Sequence, residues 1–108
     1  MPIPIYPASP MGFSEAGRYF YNNKFLPMLE EVVFEPLDPW TLTNESLINA
    51  ALSAPEGVEQ KRKWKELNLI IGANNAAAIN RSRLVVAILD GVDVDSGTAS
   101  EIGYAAAL

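Results

Sequence analysis

The chain has 108 residues, 49% of them hydrophobic, with thirteen acidic against eight basic side chains and a formal net charge of -5. One domain spanning 1–108 is expected, and the negative charge opposes binding along a phosphate backbone, so no nucleic-acid partner is expected. The absence of Cys and His removes disulfides, thiolate and imidazole catalysis and the usual zinc sites, leaving carboxylates, Tyr, Ser, Thr and Lys to carry any chemistry.

Pro2-Ile3-Pro4-Ile5-Tyr6 reads as a short first strand, its prolines suited to a strand start or edge. After the loop Pro7 to Phe13, Ser14 is a good N-cap and Glu15 suits the positive end of the helix dipole. Tyr19, Phe20, Leu26 and Leu29 then supply the apolar positions of a helix running to about Glu31, with Pro27 as a kink or boundary. Val32 to Leu37 reads as a second strand, ended by Asp38-Pro39-Trp40, and Thr43-Asn44-Glu45 begins a short helix that closes near Pro55. A longer helix is expected from about Gly57 to Asn80, with Trp64, Leu67, Ile71, Asn75 and Ala78 on one stripe. Lys61-Arg62-Lys63 with Lys65, the one basic cluster, reads as a solvated face of that helix. Leu84 to Leu89 is a continuous apolar run suited to a strand buried on both faces, and Ser96 or Thr98 starts the last helix. No apolar run approaches the roughly 20 residues of a membrane span, and the N-terminus lacks a signal-peptide pattern. A cytoplasmic protein with no membrane partner is therefore expected.

Strands separated by helices imply a parallel sheet, so the expected class is an α/β fold, Rossmann-like or flavodoxin-like, with flanking helices. Such a sheet places Tyr6, Asp38, Trp40, Asp90 and the loop after the third strand at one carboxyl-end edge, where open α/β sheets bind small ligands. The run from Asp90 to Glu101 brings four carboxylates, Asp90, Asp93, Asp95 and Glu101, to that edge. Paired carboxylates are the equipment of glycosidic-bond chemistry.

Glu101 is the sharpest candidate. A helix starting at Thr98 puts it in the first turn, where the dipole favours an ionised carboxylate able to attack a sugar carbon. The same spacing, Thr98-x-x-Glu101, also spells a capping box. Asp95 reads as a group that holds a sugar hydroxyl or shares a proton with a leaving base, or as an N-cap. Asp90 is a possible ligand contact, although Asp90-Gly91 is also an ordinary turn signal. Tyr6 is placed to orient a carboxylate across the site, against the commoner role of a half-buried strand Tyr. Asn75, on the apolar stripe of its helix, offers a heterocycle both a donor and an acceptor, against a core amide bonded to backbone. Phe13 and Trp40 are loop aromatics available to stack on a base or to pack locally. No glycine-rich phosphate cradle occurs, but Ser9 and Ser96 stay open as ligands of a single phosphate at a helix start. Asp93-x-Asp95 lacks the remaining ligands of a calcium loop, with Tyr104 where the closing Glu belongs, so no metal site is expected.

Three segments, Ile5-Tyr6-Pro7-Ala8-Ser9-Pro10-Met11-Gly12-Phe13-Ser14, Asn75-Ala76-Ala77-Ala78-Ile79 and Asp93 to Ala105, resemble the nucleoside 2-deoxyribosyltransferase family. The resemblance covers nearly the whole chain, and its most specific part combines Asp95-Ser96-Gly97-Thr98 with Glu101-Ile102-Gly103-Tyr104-Ala105. It implies that Glu101 is the nucleophile of a covalent deoxyribosyl intermediate, that Asp95 holds the sugar and that Tyr6 orients the nucleophile. Well-known members place an Asp against the base where this chain has Asn75, and similar sequences carry acids where it has Asn80 and Arg83. No cofactor is implied. The partners implied are 2′-deoxynucleosides, free nucleobases and further copies of the chain in a homo-oligomer.

Family domains continue beyond the Glu-Ile-Gly-Tyr-Ala motif, whereas this sequence stops within an apolar helical pattern at Leu108, so a C-terminally truncated domain is expected. The expected function is transfer of 2-deoxyribose between purine or pyrimidine bases by double displacement. The alternatives are a glycosidase hydrolysing 2′-deoxynucleoside 5′-monophosphates and a non-catalytic nucleoside-binding module.

Overall fold

The computed structural model describes residues 1–108 as three parallel strands flanked by helices, in the sheet order β2-β1-β3. The strands are β1 (Ile3–Ala8), β2 (Phe34–Pro36) and β3 (Leu84–Ala87). The helices are α1 (Glu15–Phe20), α2 (Leu26–Val32), α3 (Glu45–Ser53), α4 (Val58–Arg81) and α5 (Ser96–Ala107). The α/β class follows as expected, and no helix is long and apolar enough to cross a membrane.

β1 is the central strand, not an edge, although it contains Pro4 and Pro7. The register explains how it tolerates them. Pro4 turns its carbonyl to β3, accepting from the Arg83 N–H at 2.9 Å, and precedes the first β1–β3 pair, Ile5 with Leu84. Pro7 follows the last β1–β2 pair, Ile5 with Pro36. Each missing N–H thus falls where the neighbouring strand has not begun or has already ended, so no ladder bond is lost.

Alternation along β1 divides the core in two. Ile5 faces Tyr21, Phe25 and Leu29 on one side of the sheet, while Tyr6 and Ala8 face Ala78 and Ile79 of α4 on the other. The last helix, α5, packs over β1, β3 and α4. β3 has one sheet neighbour only, so Leu84 stays half exposed and the expected burial of this run on both faces is not reached.

The first helix is continuous with the second through a π-helical turn at Tyr21–Phe25, where the Leu26 N–H reaches back five residues to the Tyr21 carbonyl. Pro27 accounts for the widening: its ring would clash with the carbonyl four residues earlier in a regular α-helix, and it has no N–H to offer. The wider turn presents both Tyr21 and Phe25 to the core. The helix also runs further than its pattern predicts, absorbing Val32, and Val33 reverses the chain with φ 130° before β2 begins at Phe34. Ser14 caps α1 by accepting from the Gly17 N–H at 3.0 Å, and Asn44 caps α3 by accepting from the Ser46 N–H at 2.9 Å.

A β-branched residue at φ 130° is strained by its Cβ. Val33→Gly is expected to stabilise the fold by about 1 kcal/mol, the relief of strain exceeding the extra entropy lost by glycine on folding. Urea denaturation with an unchanged m-value checks this, and a loss of stability would contradict the strained turn.

Candidate active site

At the carboxyl end of the sheet lies a cavity of about 420 Å³ lined by residues from the β1 loop, the Asp38 turn, α3, α4 and the head of α5. Ser9, Phe13, Trp40, Asn75, Asp95 and Glu101 all line it. Tyr6 lies beneath, fully buried, and its hydroxyl donates to Glu101 Oε2. Asp90 and Ser96 are exposed and outside the lining, Asp90 at a turn whose next residue, Gly91, has φ 121°. These two candidates are not brought together with the rest.

The local chemistry at the head of α5 differs from the expected capping box. The helix begins at Ser96, and Asp95 is its N-cap, with Oδ2 accepting from the Thr98 N–H at 3.0 Å and the Thr98 hydroxyl at 3.1 Å. Thr98 is therefore the buried recipient of a cap and not the cap itself. Relieved of that task and placed in the second turn, Glu101 turns its carboxylate to Tyr6. The expected stabilisation of the anion by the helix terminus does not prevail. Burial pushes the Glu101 carboxyl above its ordinary value of 4.5, assisted by the nearby negative charge of Asp95, and the Tyr6 hydrogen bond opposes the rise only in part.

Burial, the bond to Glu101 and the charges of Glu101 and Asp38 push the Tyr6 hydroxyl far above the usual tyrosine range. Tyr6 is consequently a fixed donor: it keeps its proton at every physiological pH and holds one carboxylate oxygen of Glu101, leaving the other available.

A second tyrosine–carboxylate pair stands behind the first. The Tyr21 hydroxyl donates to Asp38 Oδ1 at 2.7 Å, and the same oxygen accepts the Trp40 N–H at 3.0 Å. One carboxylate atom thus ties the buried π-turn to the turn that carries Trp40. The Trp40 indole lies so close over Gly12 that a Cβ there would overlap the ring, and Phe13 meets it edge-on with ring centroids 4.9 Å apart. Across the cavity, Trp64, Asn68, Ile71 and Asn75 of α4 form the opposite wall at intervals of three or four residues. Asn74, next in sequence, turns away and donates to Thr43 Oγ1 at 3.2 Å, whereas Asn75 Oδ1 is buried without a hydrogen-bond partner.

Tyr21, Gly12 and Trp64 did not stand out as site residues in the sequence, and Asp38 was placed at the ligand edge without a role. Asp38 carried a readable signal, since Asp at the head of an Asp-Pro-Trp turn accepts the N–H two residues on. Tyr21 carried none, because its inward direction depends on the π-turn.

A half-buried carboxylate bound by a buried tyrosine at the carboxyl edge of parallel strands stands where open α/β sheets receive small ligands. The family model described as nucleoside 2-deoxyribosyltransferase matches residues 5–108, and the chain belongs to this family. No curated protein sequence and no solved structure matches it significantly.

Two outcomes are expected from this geometry. Gly12→Ala should displace the Trp40 indole, shifting its fluorescence while the far-UV circular dichroism stays unchanged. An unaltered emission spectrum would contradict the close approach. Because the Glu101 pKa is raised on folding, its ionisation costs stability that is fully retained below the unfolded value and lost as pH rises through the folded one. Glu101→Gln should therefore match the wild type in acid and exceed it in Tm at neutral pH, which thermal unfolding across the pH range will read.

Proposed function

We propose that this protein transfers 2-deoxyribose from one nucleobase to another by double displacement, with Glu101 as nucleophile. The observation that carries this reading is the half-buried Glu101 carboxylate, bound on one oxygen by Tyr6 and facing the same cavity as Asp95, in a chain of the deoxyribosyltransferase family.

The first displacement joins a Glu101 oxygen to C1′ as the bond from C1′ to the base nitrogen breaks, through an oxocarbenium-like state. The incoming base then attacks C1′ from the face the first base left and displaces Glu101, so the configuration at C1′ is retained. This is the logic of a retaining glycosidase with a base in place of water. Loss of water from the carboxylate, which raises its pKa, also makes the ionised form a better nucleophile. Tyr6 fixes the carboxylate rotamer without ever competing for its charge as a second anion. Asp95, held at the helix head by its bonds from Thr98, takes the sugar in this reading. The aromatic wall of Phe13, Trp40 and Trp64 suits the faces of a flat heterocycle, and the amide of Asn75 suits its edge.

The direct test supplies 2′-deoxyinosine with uracil and follows both nucleosides by HPLC. Formation of 2′-deoxyuridine is expected, with a mass adduct of one deoxyribosyl group on Glu101 when the acceptor is withheld. Glu101→Ala and Glu101→Gln should each abolish exchange, a loss of at least about 10³-fold. Exchange at near wild-type rate in either variant would overturn the nucleophile assignment. Hypoxanthine release without 2′-deoxyuridine would replace the transferase with a hydrolase. The kcat/KM profile should fall on the acid side at a pH above the ordinary range for Glu, since only ionised Glu101 attacks.

A further inference from the structure

Departure of a base from a sugar leaves negative charge on the base, and glycosidic cleavage generally meets that charge with a proton from an acid. The titratable side chains lining this cavity are Asp95 and Glu101. Glu101 must be ionised to attack. Asp95 has Oδ2 committed as acceptor to the backbone and hydroxyl of Thr98. Tyr6 spends its hydroxyl on Glu101, and Tyr21 spends its own on Asp38. Lys61 and Lys65 belong to an open groove beyond Trp64, outside the lining of this cavity.

On the wall formed by α4 stands Asn75, an amide that has no proton to give up. Its Oδ1 is the one buried side-chain polar atom in the protein without a partner. An unsatisfied buried acceptor is costly, and because Asn75 lines the cavity while its Oδ1 is closed to solvent, rotation of the amide about its terminal bond presents that oxygen to a ligand N–H, the remaining source of a donor.

We propose, building on the transferase reading above, that this site prefers 2′-deoxynucleosides of lactam bases, such as hypoxanthine or uracil, and releases the base as an anion held by the Asn75 amide. A lactam edge presents an N–H beside a carbonyl oxygen. Asn75 Oδ1 accepts the first and Nδ2 donates to the second, so the buried oxygen finds its partner in the substrate. As the C1′–N bond breaks, its electron pair passes to the base and spreads onto the carbonyl oxygen. The bond from Nδ2 then strengthens as charge develops, which stabilises the transition state more than the ground state. The new Glu101–C1′ bond balances the one broken, and the freed base anion takes its proton from water. Adenine has no carbonyl oxygen and the cytosine carbonyl has no N–H beside it, so neither pairs with the amide in this way, and both gain more from an acid, which this wall does not supply.

The test measures release of free base from 2′-deoxyinosine, 2′-deoxyuridine, 2′-deoxyadenosine and 2′-deoxycytidine at one neutral pH, by the wild type, Asn75→Asp and Asn75→Ala. For the wild type, the two lactam substrates should be cleaved on the order of tenfold or more faster in kcat/KM than the two amino-base substrates. Asn75→Asp adds an acid and should narrow that gap by raising the amino-base rates. Asn75→Ala should slow the lactam substrates selectively, an effect that general loosening of the wall would spread over all four. Equal wild-type rates for both classes overturn the proposal while leaving the transferase reading in place. So does a gap that neither variant changes, and so does one that appears only in Asp95→Asn, which would make Asp95 the acid. No base release from any substrate, with no adduct on Glu101, overturns the transferase reading and this proposal with it.

Discussion

The hydrogen bond from Tyr6 to Glu101 is the constraint on which the rest of the site depends. It joins the centre of the sheet to the second turn of α5, across the boundary between a fully buried strand residue and a half-buried helix residue. A carboxylate in that position would ordinarily relax toward solvent or toward the free N–H groups of its own helix. It does neither, because Asp95 already satisfies the helix head and Tyr6 offers a donor that keeps its proton at physiological pH. Three residues thus divide two tasks: Asp95 closes the helix, Tyr6 fixes the carboxylate, and Glu101 is left with an oxygen to use.

The second pair, Tyr21 with Asp38, extends this arrangement to the aromatic wall. Asp38 Oδ1 accepts from a side chain in the core and from the backbone of Trp40, so one oxygen ties the π-turn to the turn that carries the indole. The bare Cα of Gly12 lets that indole settle against the β1 loop, and Phe13 braces its edge. The π-turn itself follows from Pro27, six residues after Tyr21 in a helix that would otherwise be regular. A residue far from the cavity therefore sets the direction of a tyrosine that helps to set one of its walls.

This dependence separates what the sequence disclosed from what it concealed. Element order and the three parallel strands were readable because apolar runs, caps and prolines act locally, and Ser14 and Asn44 cap helices where their positions predict. The grouping of Tyr6, Trp40, Asp95 and Glu101 at one edge was readable because parallel strands end on the same side. The division of labour at the last helix was not, since Asp95-x-x-Thr98 and Thr98-x-x-Glu101 are both good capping spacings and only the burial of Thr98 decides between them. Central placement of a strand with two prolines was hidden for a similar reason: the register that spares their missing N–H groups is set by β2 and β3.

Asn75 shows how one atom changes the chemistry that a wall permits. An acid there would protonate a departing base and make the wall largely indifferent to base acidity. An amide of nearly the same shape removes the proton, keeps the hydrogen-bonding edge and leaves a buried acceptor in want of a donor. In the proposed reaction, selectivity then arises from two sources that reinforce each other. The ground state favours a base whose edge pairs donor and acceptor with the amide, and the transition state favours a base that carries negative charge on the atom receiving the amide N–H. Neither source needs a new contact beyond the α4 wall, so the proposed substrate range rests on a single side chain that lines the same cavity as Glu101.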